Sequence, residues 1–325
     1  QTSTWMESCQ VNIDALGKVT ARIHTTSSGQ GHETLVSTVL GEVMQIDPEL
    51  IRITRPNSLE SLPGNSPVGS RMAIMLGGAA ARAGEKLKAK IMAIAAHRLG
   101  VAIDQLRYEG GDVLAHDGRC LGWDEMVELA HRQYHNLPDG MDPGLASFDI
   151  MQVPTGDALP INDKVQMYPC YSFEFHLLLV SFDPIIGRPD IHSYFIGHDC
   201  GTVINPAIVS GMTYGGIAHG IGAALFEEFA YDANGQLLTQ SFLDYLMPSS
   251  HEVPAIQIVK HCTPSPHTVF GQKGSGESGY LGAPAAVSGA INDAVSGLGI
   301  HFEKLPIRMS AILSLIHISE PTRRS

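Results

Sequence analysis

The chain lacks the cysteine and histidine patterns that mark common metal sites. Its five cysteines are widely scattered and include no Cys-x-x-Cys pair, which excludes a zinc ribbon and a locally encoded iron–sulfur site. An odd number of distant cysteines also provides no disulfide framework and favours a reducing compartment. The 15 histidines include no His-Glu-x-x-His motif, so no protein-ligated metal is predicted.

Positive charge is also in short supply. Lys and Arg number 21 against 33 Asp and Glu, which gives a formal net charge of −12 and leaves no basic run for binding a nucleic acid. The longest stretch of small apolar residues, 72–83, is interrupted by Arg82 and two glycines, so we predict no membrane span. A hydrophobic share of 44% and 34 glycines are instead typical of a globular protein with many tight loops.

The order of apolar patterns and turn residues predicts an α+β protein with two lobes of mixed β-sheet and packed helices. In the first lobe, residues 1–164, we predict strands or hairpins over 11–25, 50–54 and 106–121, helices over 33–45, 69–99 and 123–134, and an irregular connection over 136–164. In the second lobe, residues 165–312, we predict strands over 168–182, 191–197 and 255–261, helices over 208–228 and 285–295, and a hairpin turn at Asn234-Gly235.

The two ends of the chain differ from those of an ordinary native sequence. Residues 313–325 include Leu313-Ser-Leu-Ile-His-Ile-Ser-Glu-Pro-Thr-Arg323, which resembles the translation of a common transposase sequencing adapter. We interpret this segment as an artefact rather than an ordinary polar tail and leave it out of the fold prediction. Gln1 is not a natural start, so we expect the native sequence to continue beyond both ends.

Three motifs lie next to predicted helices and allow more than one interpretation. Gly29-Gln-Gly-His32 offers backbone N–H groups at a helix start, which suit an anionic or polar ligand, or it is an ordinary strand-to-helix turn. Gly215-Gly-Ile-Ala-His-Gly-Ile-Gly222 serves either tight helix packing or a main chain that lies close to a flat ligand. His198-Asp-Cys-Gly-Thr-Val-Ile-Asn-Pro206 could hold a Cys/His pair with a nucleophilic cysteine, but adjacent side chains on a strand point to opposite faces. We therefore predict a structural turn with a buried cysteine.

A single carboxylate, Glu277, lies inside the glycine-dense run 271–279, directly before a predicted helix. The run satisfies Gly-x-Gly-x-x-Gly, but no apolar strand precedes it and no acid follows at the required distance, so a dinucleotide site is rejected. No Gly-x-Ser-x-Gly occurs, which leaves no nucleophile elbow. Because glycines suit sharp bends and close backbone approach, we interpret Glu277 as a base directed at a ligand.

Taken together, these segments resemble one family, the molybdopterin-binding large subunit of xanthine dehydrogenase, aldehyde oxidase and aerobic carbon monoxide dehydrogenase-type molybdenum hydroxylases. Phe242-Leu-Asp-Tyr-Leu-Met-Pro248 and Gly282-Ala-Pro-Ala-Ala-Val287 match the same pattern. The similarity covers nearly all of residues 1–312 in family order. It implies that the chain is the C-terminal half of that subunit, its second molybdenum-cofactor domain.

The resemblance also implies roles for particular residues. Glu277 is expected to be the general base of a hydroxylation that takes its oxygen from water. The cofactor is expected to be molybdenum–molybdopterin, with the cytosine dinucleotide as one form, and its pterin would hold the metal in place of protein ligands. The residues expected to contact the cofactor are Gly29, Gln30, Gly31, His32, Gly69, Ser70, Arg71, His219, Gly220, Lys273, Gly274, Ser275 and Gly276.

The resemblance implies more specific contacts for Gln30, Gly31 and His219. Gln30 and Gly31 are expected to touch the pterin or the nucleotide end of the cofactor. His219 stands where xanthine-oxidising members of the family carry a glutamine, so its contact differs from theirs. Gly69-Ser70-Arg71 matches a region that lines the active site in this family.

The resemblance implies partners as well. These are the missing N-terminal half of the same subunit, an iron–sulfur subunit and an FAD subunit, assembled as a dimer of heterotrimers in the cytoplasm. The expected reaction is oxidation of an aldehyde, an N-heterocycle or a related substrate, or of carbon monoxide, and this chain alone is expected to be inactive. The alternative is a truncated, non-catalytic fragment that only holds the cofactor.

Overall fold

The computed structural model describes residues 6–57, 59–65, 67–152 and 170–319. Within them the chain forms two compact units, which we describe separately. Unit 1 comprises residues 1–171, 201–206 and 264–276, and unit 2 comprises residues 172–200, 207–263 and 277–325. The predicted lobe boundary at 164/165, the predicted strand start at Tyr168 and residues 320–325 of the adapter-like segment lie outside the described residues.

Unit 1 contains a four-stranded main sheet, a separate three-stranded sheet and three α-helices among its described residues. Its strands are β1 (Glu7–Ile13), β2 (Val19–Ile23), β3 (Ile51–Thr54), β4 (Leu106–Glu109), β5 (Asp112–Ala115), β6 (Cys120–Leu121) and β7 (Leu145–Met151). Its helices are α1 (His32–Met44), α2 (Met72–Leu99) and α3 (Trp123–His131). The main sheet has the order β3-β2-β1-β7, and β4, β5 and β6 form a separate antiparallel sheet.

The predicted hairpin and helices of unit 1 are confirmed. β1 and β2 pair antiparallel, with Cys9, Val11 and Ile13 fully buried on one face, as the alternation of apolar residues requires. The close packing of α2 depends on two of its glycines. A Cβ on Gly78 would lie 2.9 Å from Met151 Sδ, and one on Gly84 would lie 2.9 Å from Val43 Cγ1, so a side chain at either position would separate the helix from its neighbours.

The prediction of an irregular connection over 136–164 is wrong for its middle part. Residues 145–151 form β7, which pairs antiparallel with β1 from Glu7↔Met151 to Ile13↔Leu145. The flanking proline, glycine and aspartate residues suggested a loop, but this strand takes its hydrogen bonds from a partner about 140 residues earlier, which local composition does not reveal. Residues 153–164 of the predicted connection lie outside the described part.

Unit 2 has a three-stranded sheet and three helices among its described residues. Its strands are β8 (Phe173–Asp183), β9 (Arg188–Asp199) and β10 (Ile256–His261), in the order β10-β9-β8. Its helices are α4 (Pro206–Leu225, whose first residue is counted in unit 1), α5 (Ala283–Val295) and α6 (Met309–Ser319). β8 and β9 pair antiparallel, whereas β9 and β10 pair parallel.

The core of unit 2 lies between this sheet and its helices. It contains the buried residues Tyr194, Ile196, Ile217, Ile221, Ala224, Ala283, Val287 and Ile291.

The predicted turn at Asn234-Gly235 is confirmed by an isolated bridge between Tyr231 and Leu237. The predicted end of α4 at 228 is three residues too late, and α6 includes residues 313–319 of the adapter-like segment. In the described part of the chain, no helix combines the length and apolar character needed to cross a membrane.

A buried ion pair fastens the start of α2 to the sheet of unit 1. The side chains of Glu7 on β1 and Arg71 at the N-cap of α2 are both fully buried and joined by a salt bridge. Glu7 Oε1 also accepts a hydrogen bond from Asn65 N at 3.0 Å, and Arg71 Nη2 donates to Met6 O at 3.2 Å. The segment before α2 is therefore held by charge-assisted hydrogen bonds to the first strand.

Replacing one member of this pair should destabilise unit 1 strongly. We expect Arg71→Met to lower the free energy of unfolding by about 3–5 kcal/mol, because it leaves a buried carboxylate without its counter-charge. The double variant Glu7→Gln/Arg71→Met should recover a large part of that loss. The control is Arg98→Met, which breaks the exposed pair Arg98–Glu125 and should cost at most about 1 kcal/mol. Urea unfolding followed by circular dichroism measures all three, and equal losses for Arg71→Met and Arg98→Met would contradict the interpretation.

Candidate functional site

The first candidate loop, residues 29–32, enters α1 through left-handed backbone. Gly29 has φ 108° and Gly31, the N-cap of α1, has φ 71°. The loop is held from inside by Ser27 Oγ, which accepts hydrogen bonds from Gly29 N at 3.2 Å and Gly31 N at 2.9 Å. Gln30 Oε1 accepts from Ser28 N at 2.6 Å. No side-chain cap hydrogen bond closes the start of α1, and Glu33 is the acidic residue of its first turn.

The second candidate loop, residues 69–71, enters α2 in a similar way. Gly69 and Ser70 have φ values of 64° and 54°, and α2 also begins without a side-chain cap hydrogen bond. A serine in the left-handed region costs roughly 1–2 kcal/mol, so the surrounding structure must impose this conformation. The Arg71 side chain turns inward and forms a salt bridge with Glu7, which connects the loop to β1.

The third candidate loop, residues 271–276, runs beside the start of α2. Gln272 Nε2 donates to Ala73 O at 3.0 Å, and a Cβ on Gly276 would lie 3.4 Å from Ser70 Cα. On its other side the loop pairs with the predicted turn after β9, since Thr202 N donates to Gly271 O at 3.2 Å. Cys200, at the start of that turn, is buried, as the sequence predicted.

Packing between α1 and α2 brings these three loops together within unit 1. A Cβ on Gly77 would lie 3.6 Å from Leu35 Cδ1 and 3.9 Å from Gln272 Nε2, so the first turn of α1 and the third loop both adjoin the second turn of α2. The predicted residues Gly29, Gln30, Gly31, His32, Gly69, Ser70, Arg71, Lys273, Gly274, Ser275 and Gly276 all belong to this unit. Glu277, His219 and Gly220 belong to unit 2.

Open space and backbone N–H groups, more than charged side chains, characterise the loops of unit 1. A Cβ placed on Gly29 or on Gly69 would have no atom within 4 Å. His32 is buried, and its burial lowers the pKa of its imidazole, so this side chain is neutral at pH 7. Lys273 is also buried. This arrangement suits a ligand that carries anionic groups and lies close to the main chain.

Residues 277–282 of unit 2, which we call the Glu277 loop, pack against α4 along their backbone. A Cβ on Gly216 of α4 would overlap the Ser278 carbonyl oxygen and lie 2.9 Å from Tyr280 N. A Cβ on Gly279, whose φ is 83°, would overlap the Thr213 carbonyl oxygen and lie 3.0 Å from Ile217 N. Main chain therefore packs directly on main chain, which only glycines allow. Glu277 itself is partly exposed at the start of this segment.

His219 and Gly220 of α4 contact the next part of the same segment. The His219 ring stacks on the Tyr280 ring with 4.4 Å between centroids and 29° between planes. Gly220 is buried, and a Cβ there would overlap Ala283 Cβ and lie 3.2 Å from Pro284 Cδ. Of the two interpretations of the 215–222 motif, tight helix packing is the one that the structure displays.

No group of three or more metal-ligating side chains occurs among the residues that the structure describes.

A side chain at position 279 should disturb the Glu277 loop. We expect Gly279→Ala to lower the free energy of unfolding of unit 2 by about 1–3 kcal/mol, because the added methyl group overlaps the backbone of α4. The control is Gly289→Ala on α5, where a Cβ would have no atom within 4 Å and the change should raise stability by up to about 1 kcal/mol. Thermal unfolding measures both, and equal melting temperatures for the two variants would contradict the packing argument.

Comparison with protein families gives one match, which spans most of the chain. Residues 1–254 match the model of the molybdopterin cofactor-binding domain. Among related sequences, the nicotine 6-hydroxylase large subunit of Paenarthrobacter nicotinovorans is 34% identical over 307 residues, which cover 94% of this chain and 36% of that protein. The carbon monoxide dehydrogenase large chain of Hydrogenophaga pseudoflava is 30% identical over 300 residues, which cover 92% of this chain and 36% of that protein.

The chain is also similar to solved structures. Quinoline 2-oxidoreductase from Pseudomonas putida 86 superimposes with a TM-score of 0.84 at 32% identity, covering 97% of this chain and 38% of that one. Reconstituted CO dehydrogenase from Oligotropha carboxidovorans also gives a TM-score of 0.84, at 28% identity, covering 96% of this chain and 37% of that one. The chain therefore spans 36–38% of the length of these relatives.

Proposed function

This chain belongs to the family of molybdopterin cofactor-binding domains, and from that premise we propose that it forms the C-terminal part of the catalytic subunit of a molybdenum hydroxylase. The observation that carries the proposal is the family match over residues 1–254, together with relatives whose names include a nicotine hydroxylase and carbon monoxide dehydrogenases. The proposed reaction is oxidation of an aldehyde, an N-heterocycle or a related substrate with water as the oxygen source.

The residues of unit 1 fit the proposed cofactor. Gly29 and Gly69 leave open space where a side chain would stand, and the N-termini of α1 and α2 lack side-chain caps. Such helix starts bind phosphate groups through backbone N–H donors. When bound, the molybdenum–molybdopterin group would supply the two-electron redox chemistry of the reaction. We propose that residues 29–32, 69–71 and 273–276 of unit 1 hold it.

We propose that Glu277 is the general base. Its carboxylate would accept a proton as the substrate is hydroxylated, a role that requires an acid held at a fixed position rather than on a mobile loop. Gly279 lies two residues after Glu277 and packs against α4, and this packing supports the proposal. Arg71, in contrast, would act through its buried pair with Glu7 by keeping Gly69 and Ser70 in place, not by touching the cofactor with its guanidinium.

Loss of the Glu277 charge should abolish turnover without loss of the cofactor. We expect Glu277→Gln, made in the full-length subunit with its partners, to lower kcat by at least about 100-fold, because general-base catalysis contributes about 10²–10⁴-fold. Molybdenum content, measured by mass spectrometry, should match that of the wild type. The control is Glu42→Gln on the exposed face of α1, which should leave kcat unchanged. Wild-type activity of Glu277→Gln would exclude Glu277 as the base.

A negative charge placed at the 29–32 loop should weaken cofactor binding. We expect Gly29→Asp to lower cofactor affinity by roughly 2- to 30-fold, which corresponds to about 0.5–2 kcal/mol for charge near a helix end. The matched control is Gly118→Asp, since both glycines are exposed, have positive φ (108° and 88°) and have no atom within 4 Å of a Cβ. The readout is the molybdenum retained after gel filtration, and equal retention by the two variants would argue against a cofactor contact at Gly29.

The finer features of the enzyme are also proposals. The cofactor would be molybdenum–molybdopterin or its cytosine dinucleotide, with iron–sulfur clusters and FAD on partner subunits in a cytoplasmic dimer of heterotrimers. Because nicotine and quinoline, which appear in the names of two relatives, are both N-heteroaromatic, an N-heterocycle is the substrate class that we favour. A carbon monoxide dehydrogenase-type large subunit is the second candidate, supported by the 30% identical relative.

A further inference from the structure

A cluster of polar side chains lies largely shielded from solvent in unit 2, on the face of β8 and β9 that packs toward the helices. Glu174 on β8 lies directly opposite His198 on β9 in the strand register, and His176 lies two residues further along β8 on the same face. The exposed fractions of these three side chains are 16%, 3% and 6%. Residues 173, 175, 177 and 179, on the opposite face of β8, are exposed, so the cluster is on the inner side of the sheet.

The members of this cluster are connected to one another by short contacts. His176 Nε2 lies 3.3 Å from Glu174 Oε2, and His176 Nδ1 lies 2.7 Å from Tyr194 Oη. His198 Nε2 lies 3.9 Å from Glu174 Oε1. Tyr194 is fully buried, and burial raises the pKa of its hydroxyl group, which therefore remains protonated at neutral pH.

The same cluster binds the two residues that directly follow Glu277. Glu174 Oε1 accepts a hydrogen bond from Gly279 N at 2.8 Å. His198 Nε2 is hydrogen-bonded to Ser278 Oγ at 2.9 Å, and both of those residues are buried. A Cβ on Gly282 would overlap the imidazole of His176, so the segment also adjoins the third member of the cluster.

The charge state of Glu174 agrees with this role. Burial raises the pKa of its carboxyl group, but the hydrogen bonds from His176 and from Gly279 N lower that pKa by more, so the net pKa is below its usual value. The carboxylate is therefore ionised and a strong acceptor for the Gly279 N–H group. Burial lowers the pKa of His198, so its imidazole is neutral at pH 7.

Moving a carboxylate out of water into this position costs desolvation free energy. A buried charge requires partners, and an apolar side chain of similar size would often stabilise a fold equally well. Here the partner is the main chain of the Glu277 loop, whose opposite side is fixed by the contact of Gly279 with α4. The loop is thus held between a polar cluster and a helix, and the hydrogen bonds determine the direction of its backbone.

We propose that Glu174 and His198 are positioning residues that fix the orientation of the catalytic base Glu277 through Gly279 N and Ser278 Oγ. This inference rests on the proposed function of Glu277. It assigns to β8 and β9 a part in the reaction that requires no contact with the substrate or the cofactor. Misplacement of a catalytic group by about 1 Å can cost on the order of 100-fold in rate, so loss of either hydrogen bond should affect kcat.

The test compares variants of the full-length subunit with its partners and cofactor. We expect Glu174→Ala to lower kcat by about 10- to 100-fold with KM within about threefold of the wild type and unchanged molybdenum content. Glu174→Gln keeps an oxygen that can accept from Gly279 N, so it should recover much of that loss. The matched control is Glu252→Gln, an exposed carboxylate of the same unit that accepts hydrogen bonds from Ser249, and it should behave as the wild type.

A second variant keeps the test decisive if Glu174→Ala does not fold. Ser278→Ala removes only the hydroxyl group that contacts His198 and should lower kcat in the same direction while molybdenum content is retained. If kcat and molybdenum content fall in parallel in both variants, the cluster is merely structural and the inference is wrong. It is also wrong if both variants turn over normally while Glu277→Gln is inactive. Activity of Glu277→Gln, in contrast, would overturn the proposed function itself.

Discussion

Direct contact between main chains determines where the central carboxylate of this protein lies. Gly216 of α4 and Gly279 of the following loop have no side chains at the point where the two backbones meet, and a Cβ on either would overlap a carbonyl oxygen of the other segment. Because interiors are close-packed, no small adjustment would accommodate even a methyl group there. The position of Glu277, two residues before Gly279, follows from this contact.

Each unit also contains a carboxylate, shielded from most solvent, that holds a loop. In unit 1, Glu7 accepts a hydrogen bond from Asn65 N at 3.0 Å and pairs with Arg71, so the approach to α2 is fixed. In unit 2, Glu174 accepts from Gly279 N at 2.8 Å. An ionised acceptor forms a stronger bond to a backbone N–H group than a neutral one does. Loops that need a defined shape in the absence of regular hydrogen bonding are thereby made rigid.

In the proposed function, each unit makes a separate contribution. The loops of unit 1 offer helix N-termini, left-handed glycines and open space, which suit a group bound by its anionic and planar parts. The loop of unit 2 offers one acid on a fixed backbone. Because the cofactor would carry the redox chemistry, the protein needs to provide only binding, orientation and a proton acceptor.

Local patterns in the sequence were sufficient for much of the fold. Alternation predicted the β1–β2 hairpin, and helical periodicity predicted α1 and α2. The role of the glycine loops and of Glu277 stays a prediction. The resemblance to molybdenum hydroxylases was confirmed by the family match over residues 1–254. β7 was missed, because its stability comes from pairing with β1 rather than from its own composition.

Only the tertiary structure revealed what holds the candidate site together. Gly279 and Glu174 are 105 residues apart, Ser278 and His198 are 80 apart, and Arg71 and Glu7 are 64 apart. Each of these contacts depends on strand register or on helix packing, and neither leaves a short-range pattern in the chain. The sequence by itself determined the glycine-flanked acid and the family to which the chain belongs. The fold decided which buried charges and hydrogen bonds orient that acid, because those partners meet only when distant segments pack.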